Sequence, residues 1–171
     1  MKKKPVIFGV DPGTLVTGYG VIDGEGQPLD FGCIRPPAKL ELPERYKIIF
    51  EGLEALIDKH APDAIAVESQ FVMKNVQSAI KLGMAKGMVY LAAARRSIPI
   101  YEFAPKKAKQ AVVGTGNATK FQVQKMIQSL LRLPSLPEPE DAADALALAI
   151  CCAHQLRNPI KEPCLNQSKA F

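Results

Sequence analysis

Short apolar runs and longer stripes at helical spacing alternate along the chain. Val6 to Val10 is apolar and stops at Asp11-Pro-Gly, a strand running into a turn. Thr17 to Asp23 and Leu29 to Ile34 predict two further strands, joined through Gly24-Glu-Gly-Gln-Pro, so the first three strands form an antiparallel meander. Tyr46, Ile49, Phe50, Leu53 and Leu56 recur at helical spacing and predict a helix from about Leu42 to His60. Ala64 to Glu68 is a short strand. Val76, Ile80, Met84, Met88 and Leu91 mark a second helix, from about Asn75 to Arg96, with Gly83 and Gly87 on one face. Those glycines allow close packing, which we assign to this protein's own sheet ahead of a subunit contact. Ile98 to Phe103 is a fifth strand. Pro105 opens a short basic helix to about Val113. Gly114 to Ala118 is a loop, and Thr119 to Leu131 is a helix with Val123, Ile127, Leu130 and Leu131 inward. The Pro-rich connector from Leu133 delivers a last helix from Glu140 or Asp141 to about Leu156.

The order βββαβαβααα makes an α/β protein with a mixed five-stranded sheet and helices on both faces, because strands that follow helices pair parallel to the first. A chain of 171 residues fits one domain. We expect it over 1–157, with a polar tail at 158–171. Hydrophobic residues at 47% and charged residues at 23% exclude disordered and fibrous classes. The apolar part of Met-Lys-Lys-Lys-Pro-Val-Ile-Phe-Gly-Val is too short for an export signal. Cys33, Cys151, Cys152 and Cys164 show no C-x-x-C spacing, which fits reduced, mostly buried thiols in a cytoplasmic protein.

Charge adds a functional hint once it is mapped. The net charge is +5, yet between Ser69 and Pro137 Glu102 is the one acid among eleven Lys and Arg residues. That stretch stands at +10 and the remainder at −5. Such asymmetry across several elements favours a nucleic-acid face over a merely solvated one.

The acids carry the candidate chemistry. Asp11 and Glu68 each end an apolar strand. Two adjacent parallel strands would set them side by side at the sheet edge where open α/β sheets build their sites. Asp141 and Asp144 are three apart and share a helix face. Asp141, taken alone, fits a helix cap or dipole partner worth about 0.5–2 kcal/mol. Asp144 lies among Ala and Leu, where an unpaired carboxylate costs several kcal/mol. An all-oxygen set with no His or Cys suits Mg²⁺ or Mn²⁺, and paired metals beside a basic surface suit phosphoryl transfer. His60 and His154 sit near helix ends and fit caps or solvated residues. The Asp11 turn lacks Gly-Lys-Ser/Thr and is not a P-loop.

Five blocks carry a resemblance: residues 9–22 (GVDPGTLVTGYGVI), 66–75 (AVESQFVMKN), 79–87 (AIKLGMAKG), 109–116 (KQAVVGTG) and 141–147 (DAADALA). In this order and spacing they resemble the RuvC family of bacterial Holliday-junction resolvases. The resemblance implies an RNase H-like fold and a homodimer that binds a four-way DNA junction. It implies Mg²⁺-dependent hydrolysis of two symmetry-related phosphodiesters, with one or two ions per subunit, and the branch-migration proteins RuvA and RuvB as partners. The family's catalytic and metal-holding carboxylates fall on Asp11, Glu68, Asp141 and Asp144, its junction-probing aromatic on Phe71, and its DNA-contacting lysines on Lys109 and Lys120. Phe71 follows Glu68 by three residues, and its ring either stacks on an unpaired base or folds back on its own loop. Lys74, Lys81, Lys106 and Lys107 are further candidates for DNA contact. Thr14-Leu15 stands where family members often carry a basic residue. Two other readings stay open on the residues alone: a non-catalytic nucleic-acid-binding protein of the same fold, and a nucleotide binder whose Asp11 hairpin resembles that of actin-like ATPases.

Overall fold

The computed structural model describes residues 4–69 and 75–157, so Phe71, Lys74 and the tail at 158–171 lie outside the described residues. The elements are β1 (Val6–Asp11), β2 (Thr17–Asp23), β3 (Pro28–Ile34), α1 (Leu42–His60), β4 (Ala64–Glu68), α2 (Val76–Ala94), β5 (Ile100–Phe103), α3 (Pro105–Val113), α4 (Lys120–Leu130) and α5 (Glu140–Arg157). They form one sheet in the order β3-β2-β1-β4-β5. The meander β1-β2-β3 is antiparallel, and β4 and β5 extend it in parallel with β1.

Period-two alternation sorts the strand residues between two cores. Phe8, Val10, Val21, Ile65, Val67 and Ile100 point to the face covered by α1 and α2. Ile7, Ile22, Ala64, Ala66 and Phe103 point to the face covered by α3, α4 and α5. Asp11 shares the parity of Ile7, and Glu68 that of Ala64 and Ala66. Both acids therefore lie on the α5 side.

α5 can lie close to the sheet because glycines floor its seat. A Cβ on Gly18 would stand 2.0 Å from the Asp141 carbonyl oxygen, and one on Gly9 2.0 Å from that of Ala145. Residues 145–153 of α5 are all buried, an Ala-, Leu- and Cys-rich run that fills the core between the sheet, α3 and α4.

Two inward faces differ from the pattern the sequence predicts. On α2 the buried residues are Ala85, Val89, Ala92 and Ala93, while Val76, Ile80, Met84 and Leu91 are 49% to 67% exposed. Periodicity identifies an apolar stripe but not its direction: Met88 of the predicted stripe packs against the core beside Ala85, Val89, Ala92 and Ala93, while its other members face outward. The assignment of Gly83 and Gly87 to packing on the sheet is overturned as well, since a Cβ at either would meet nothing within 4 Å. On α4, Leu130 is exposed and Gln124 is buried in its place, donating through Nε2 to the Pro137 carbonyl at 3.2 Å. The amide's apolar stem fills the core while its head satisfies the connector's backbone.

Candidate active site

The carboxyl ends of β1 and β4 meet side by side. Val10 pairs with Val67 in the parallel register, so Asp11 and Glu68 are the next step along neighbouring strands, about 4.8 Å apart at the backbone. On its other side Asp11 pairs with Gly18, the glycine beneath the Asp141 carbonyl. The turn after Asp11 is tied by Thr17, which is fully buried and whose Oγ1 donates to the Gly13 carbonyl at 2.8 Å. Asp141 and Asp144 come in from the first turns of α5. Four acids from three elements thus face one region, each placed by a strand end or a helix start.

Their charges act on one another. Asp11 is pushed up to about 7, by burial first and then by Asp144, Glu68 and Asp141, while Lys120 pulls the other way. Burial raises Glu68 too, reinforced by Asp144 and opposed by Lys109, Lys86 and Lys120. Burial likewise raises Asp144, with Lys120 working against it and Asp141 and Glu140 adding to it. Groups this crowded favour any state that brings positive charge among them. Among the described residues no group of three or more His, Cys, Asp or Glu side chains is close enough as it stands to hold a metal ion. The all-oxygen chemistry and mutual repulsion of the four acids fit a hard divalent cation.

Two lysines named from the sequence act on the acids, Lys120 by direct contact and Lys109 through its charge. Lys120 opens α4, where Thr119 and Gln122 form a reciprocal cap: Gln122 N–H donates to Thr119 Oγ1 at 3.2 Å, and Thr119 N–H to Gln122 Oε1 at 2.8 Å. The Lys120 Nζ lies 3.2 Å from Glu140 Oε2 and 3.8 Å from Asp144 Oδ2. Lys109, on α3, acts on both Glu68 and Asp144. Lys106 is exposed on the same helix, with its backbone against Gly116 of the loop. The structure turns Lys107 elsewhere: its Nζ contacts Gln155 Oε1 at 3.1 Å and lies 5.0 Å from the centre of the Phe103 ring. Helical spacing places Lys106 and Lys109 three apart on one face and swings the intervening Lys107 away, so it does not join the acids. Lys81 is exposed on α2, across the sheet from α5. Leu15, in the first turn, is exposed.

Two participants escaped the sequence reading. Glu140, noted only as a helix start, holds Lys120. Lys86, on the opposite side of the sheet, acts on Glu68 while its Nζ pairs with Glu102 Oε2 at 3.1 Å. The isolation of Glu102 in a basic stretch was the available signal, because a lone acid there is a natural partner for a neighbouring base. The histidines stay outside the site: His60 Nε2 lies 2.8 Å from Asp30 Oδ2, a contact between α1 and β3.

This sheet order, with acids at the ends of β1 and β4 and on the helix that crosses them, places the chain in the RNase H-like class. The sequence profile of crossover junction endodeoxyribonuclease RuvC matches residues 7–152. The enzyme of that name from Protochlamydia amoebophila is 58% identical over 172 residues, covering 99% of this chain and 98% of its own length. That of Chlamydia pneumoniae is 50% identical over 161 residues, covering 91% and 96%. The solved structure of Thermus thermophilus RuvC in complex with Holliday junction substrate matches with a TM-score of 0.86 at 32% identity, over 93% of this chain and 99% of that one. The chain belongs to the RuvC family of crossover junction endodeoxyribonucleases.

Proposed function

We propose that this protein resolves four-way DNA junctions by hydrolysing two symmetry-related phosphodiesters, one in each subunit of a homodimer. The observation that carries the reading is the gathering of Asp11, Glu68, Asp141 and Asp144 beside Lys109 and Lys120. In this reading residues 1–157 are the nuclease and 158–171 a separate tail.

Asp11, Glu68, Asp141 and Asp144 are the groups that hold divalent metal, Mg²⁺ being the ion that suits an all-oxygen set. Bound there, the ion supplies Lewis acidity toward a phosphoryl oxygen and an activated water. The chain's own residues do the rest. Lys120 and Lys109 meet the scissile strand's phosphates and counter the charge of the acids, which otherwise repel a polyanion. Lys106 extends that contact along α3, Lys81 and Lys74 are further candidates for DNA contact, and Phe71 probes the unpaired centre of the junction. Glu140 fixes the Lys120 ammonium until a phosphate takes it over.

A dimer is supported by α2. Its outward stripe of Val76, Ile80, Met84 and Leu91, with Gly83 and Gly87 leaving room for a close approach, suits the self-complementary contact of a two-fold pair. Two such sites, related by the axis, match the symmetry of a four-way junction. In the cell the protein acts in the cytoplasm behind the RuvA and RuvB branch-migration proteins.

Asp144→Asn tests the reading. The variant is expected to bind a synthetic four-way junction with wild-type affinity and to lose cleavage in Mg²⁺. Wild-type cleavage by the purified variant would remove Asp144 from the metal set and return the protein to the non-catalytic DNA-binding alternative.

A further inference from the structure

α4 carries an aromatic ring that the fold does not use. Phe121 is 56% exposed, although Val123 and Ile127 on the same helix are buried. Single exposed apolar residues are common on any surface. Three observations separate this one. It directly follows Lys120, whose ammonium stands against Asp144 and Glu140. Its ring is paired with a second cation, Lys125, whose Nζ lies 5.4 Å from the ring centre one helical turn on. α4 contains no acid at all, so nothing on the helix itself repels a phosphate strand. Successive helical residues point about 100° apart, so Phe121 flanks the acids instead of facing them. A strand whose phosphate meets Lys120 and that continues along α4 toward Lys125 passes beside the ring.

We propose that Phe121 and Lys125 form a second DNA-contact pair flanking the active site: the ring stacks on a base left unpaired at the branch, and Lys125 takes a neighbouring phosphate. This rests on the junction-cleaving reading above and adds a contact on a different element from the Phe71 loop. A phenyl face accepts any base, so the pair contributes preference for branched over linear DNA and not for a base sequence. The partner is DNA and not another subunit, because the neighbouring cations suit phosphate and the large apolar stripe lies on α2.

The test uses the full-length protein and an immobile four-way junction carrying 2-aminopurine at the branch, with divalent metal withheld so that binding is read without cleavage. Phe121→Ala should weaken junction binding about tenfold while leaving the salt slope and linear-duplex binding unchanged. Phe121→Trp, which keeps an aromatic face, should restore the affinity. Lys125→Ala should reduce the salt slope by about one released counterion. The 2-aminopurine signal should respond to wild type and not to Phe121→Ala. Wild-type junction affinity in Phe121→Ala, an equal loss on linear duplex, or dissociation of the dimer in sedimentation would each overturn the proposal. If wild type itself showed no preference for the junction over duplex, the functional reading would fall first, and that outcome is separate from all three.

Discussion

Gly18→Ala tests whether the seat of α5 sets the geometry of the acids. The added methyl would stand 2.0 Å from the Asp141 carbonyl oxygen, 2.3 Å from its carbonyl carbon and 2.9 Å from its Cβ. Ordinary van der Waals contact begins at 3.4 Å. The obstacle is backbone, which cannot swing aside as a side-chain tip can, so β2 and the first turn of α5 must separate by about 1.4 Å. Overpacking of this kind costs about 1–3 kcal/mol, which leaves a folded protein. Catalysis suffers more. A shift near 1 Å in a group that positions reacting atoms costs about 100-fold in rate, and Gly18 adjoins Asp11 as well as Asp141. Single-turnover cleavage of an end-labelled junction in Mg²⁺ should fall by about that factor. Binding without metal should stay near wild type, because Lys109 and Lys120 sit on other helices. Wild-type cleavage with an unchanged melting temperature would show that contact between α5 and β2 does not place Asp141.

Three further outcomes are expected. Asp11 is protonated up to about pH 7 in the folded protein but only to its ordinary value of 3.8 when unfolded. The native state therefore holds an extra proton between these values, and stability falls as pH rises through that window. Without divalent ions Asp11→Asn should be the more stable protein above about pH 7, by on the order of a few kcal/mol, with the gap closing below about pH 4; denaturant melts at both ends check this, and saturating Mg²⁺ should narrow the gap at the upper end. Met84→Glu puts a charge in the outward stripe of α2 and should shift sedimentation toward monomer with little change in melting temperature; an unaltered dimer would move the subunit contact to another face. Burial pushes the Cys151 thiol up to about 11 and that of Cys152 to about 12. Peptide mapping after iodoacetamide at neutral pH should find both unlabelled in the native protein, whereas Cys33, half-buried, is reached.

Much of the architecture is legible in the residues because strand parity and parallel pairing leave few alternatives. Once Val6–Asp11 and Ala64–Glu68 are taken as adjacent parallel strands, Asp11 and Glu68 must meet, and the spacing of Asp141 and Asp144 then brings one helix over both. What stays hidden depends on neighbours distant in sequence. The stripe on α2 has a clear period but no sign, and the burial of Ala85, Val89, Ala92 and Ala93 in the core shared with α1 turns Val76, Ile80, Met84 and Leu91 out. Lys106, Lys107 and Lys109 look alike in the sequence until the helix phase sends Lys107 to Gln155. Gln124 is polar by type and buried in fact because the Pro137 carbonyl answers it. The nearness of Gly18 to Asp141 spans more than a hundred residues of chain, and no local pattern announces it.

α5 is at once the most enclosed helix described and the carrier of two of the acids. Amide hydrogens along its buried run, 145–153, exchange with solvent only when the whole molecule opens. The helix that carries Asp141 and Asp144 is therefore anchored while the fold holds, and heat that opens its buried run should extinguish cleavage in the same transition.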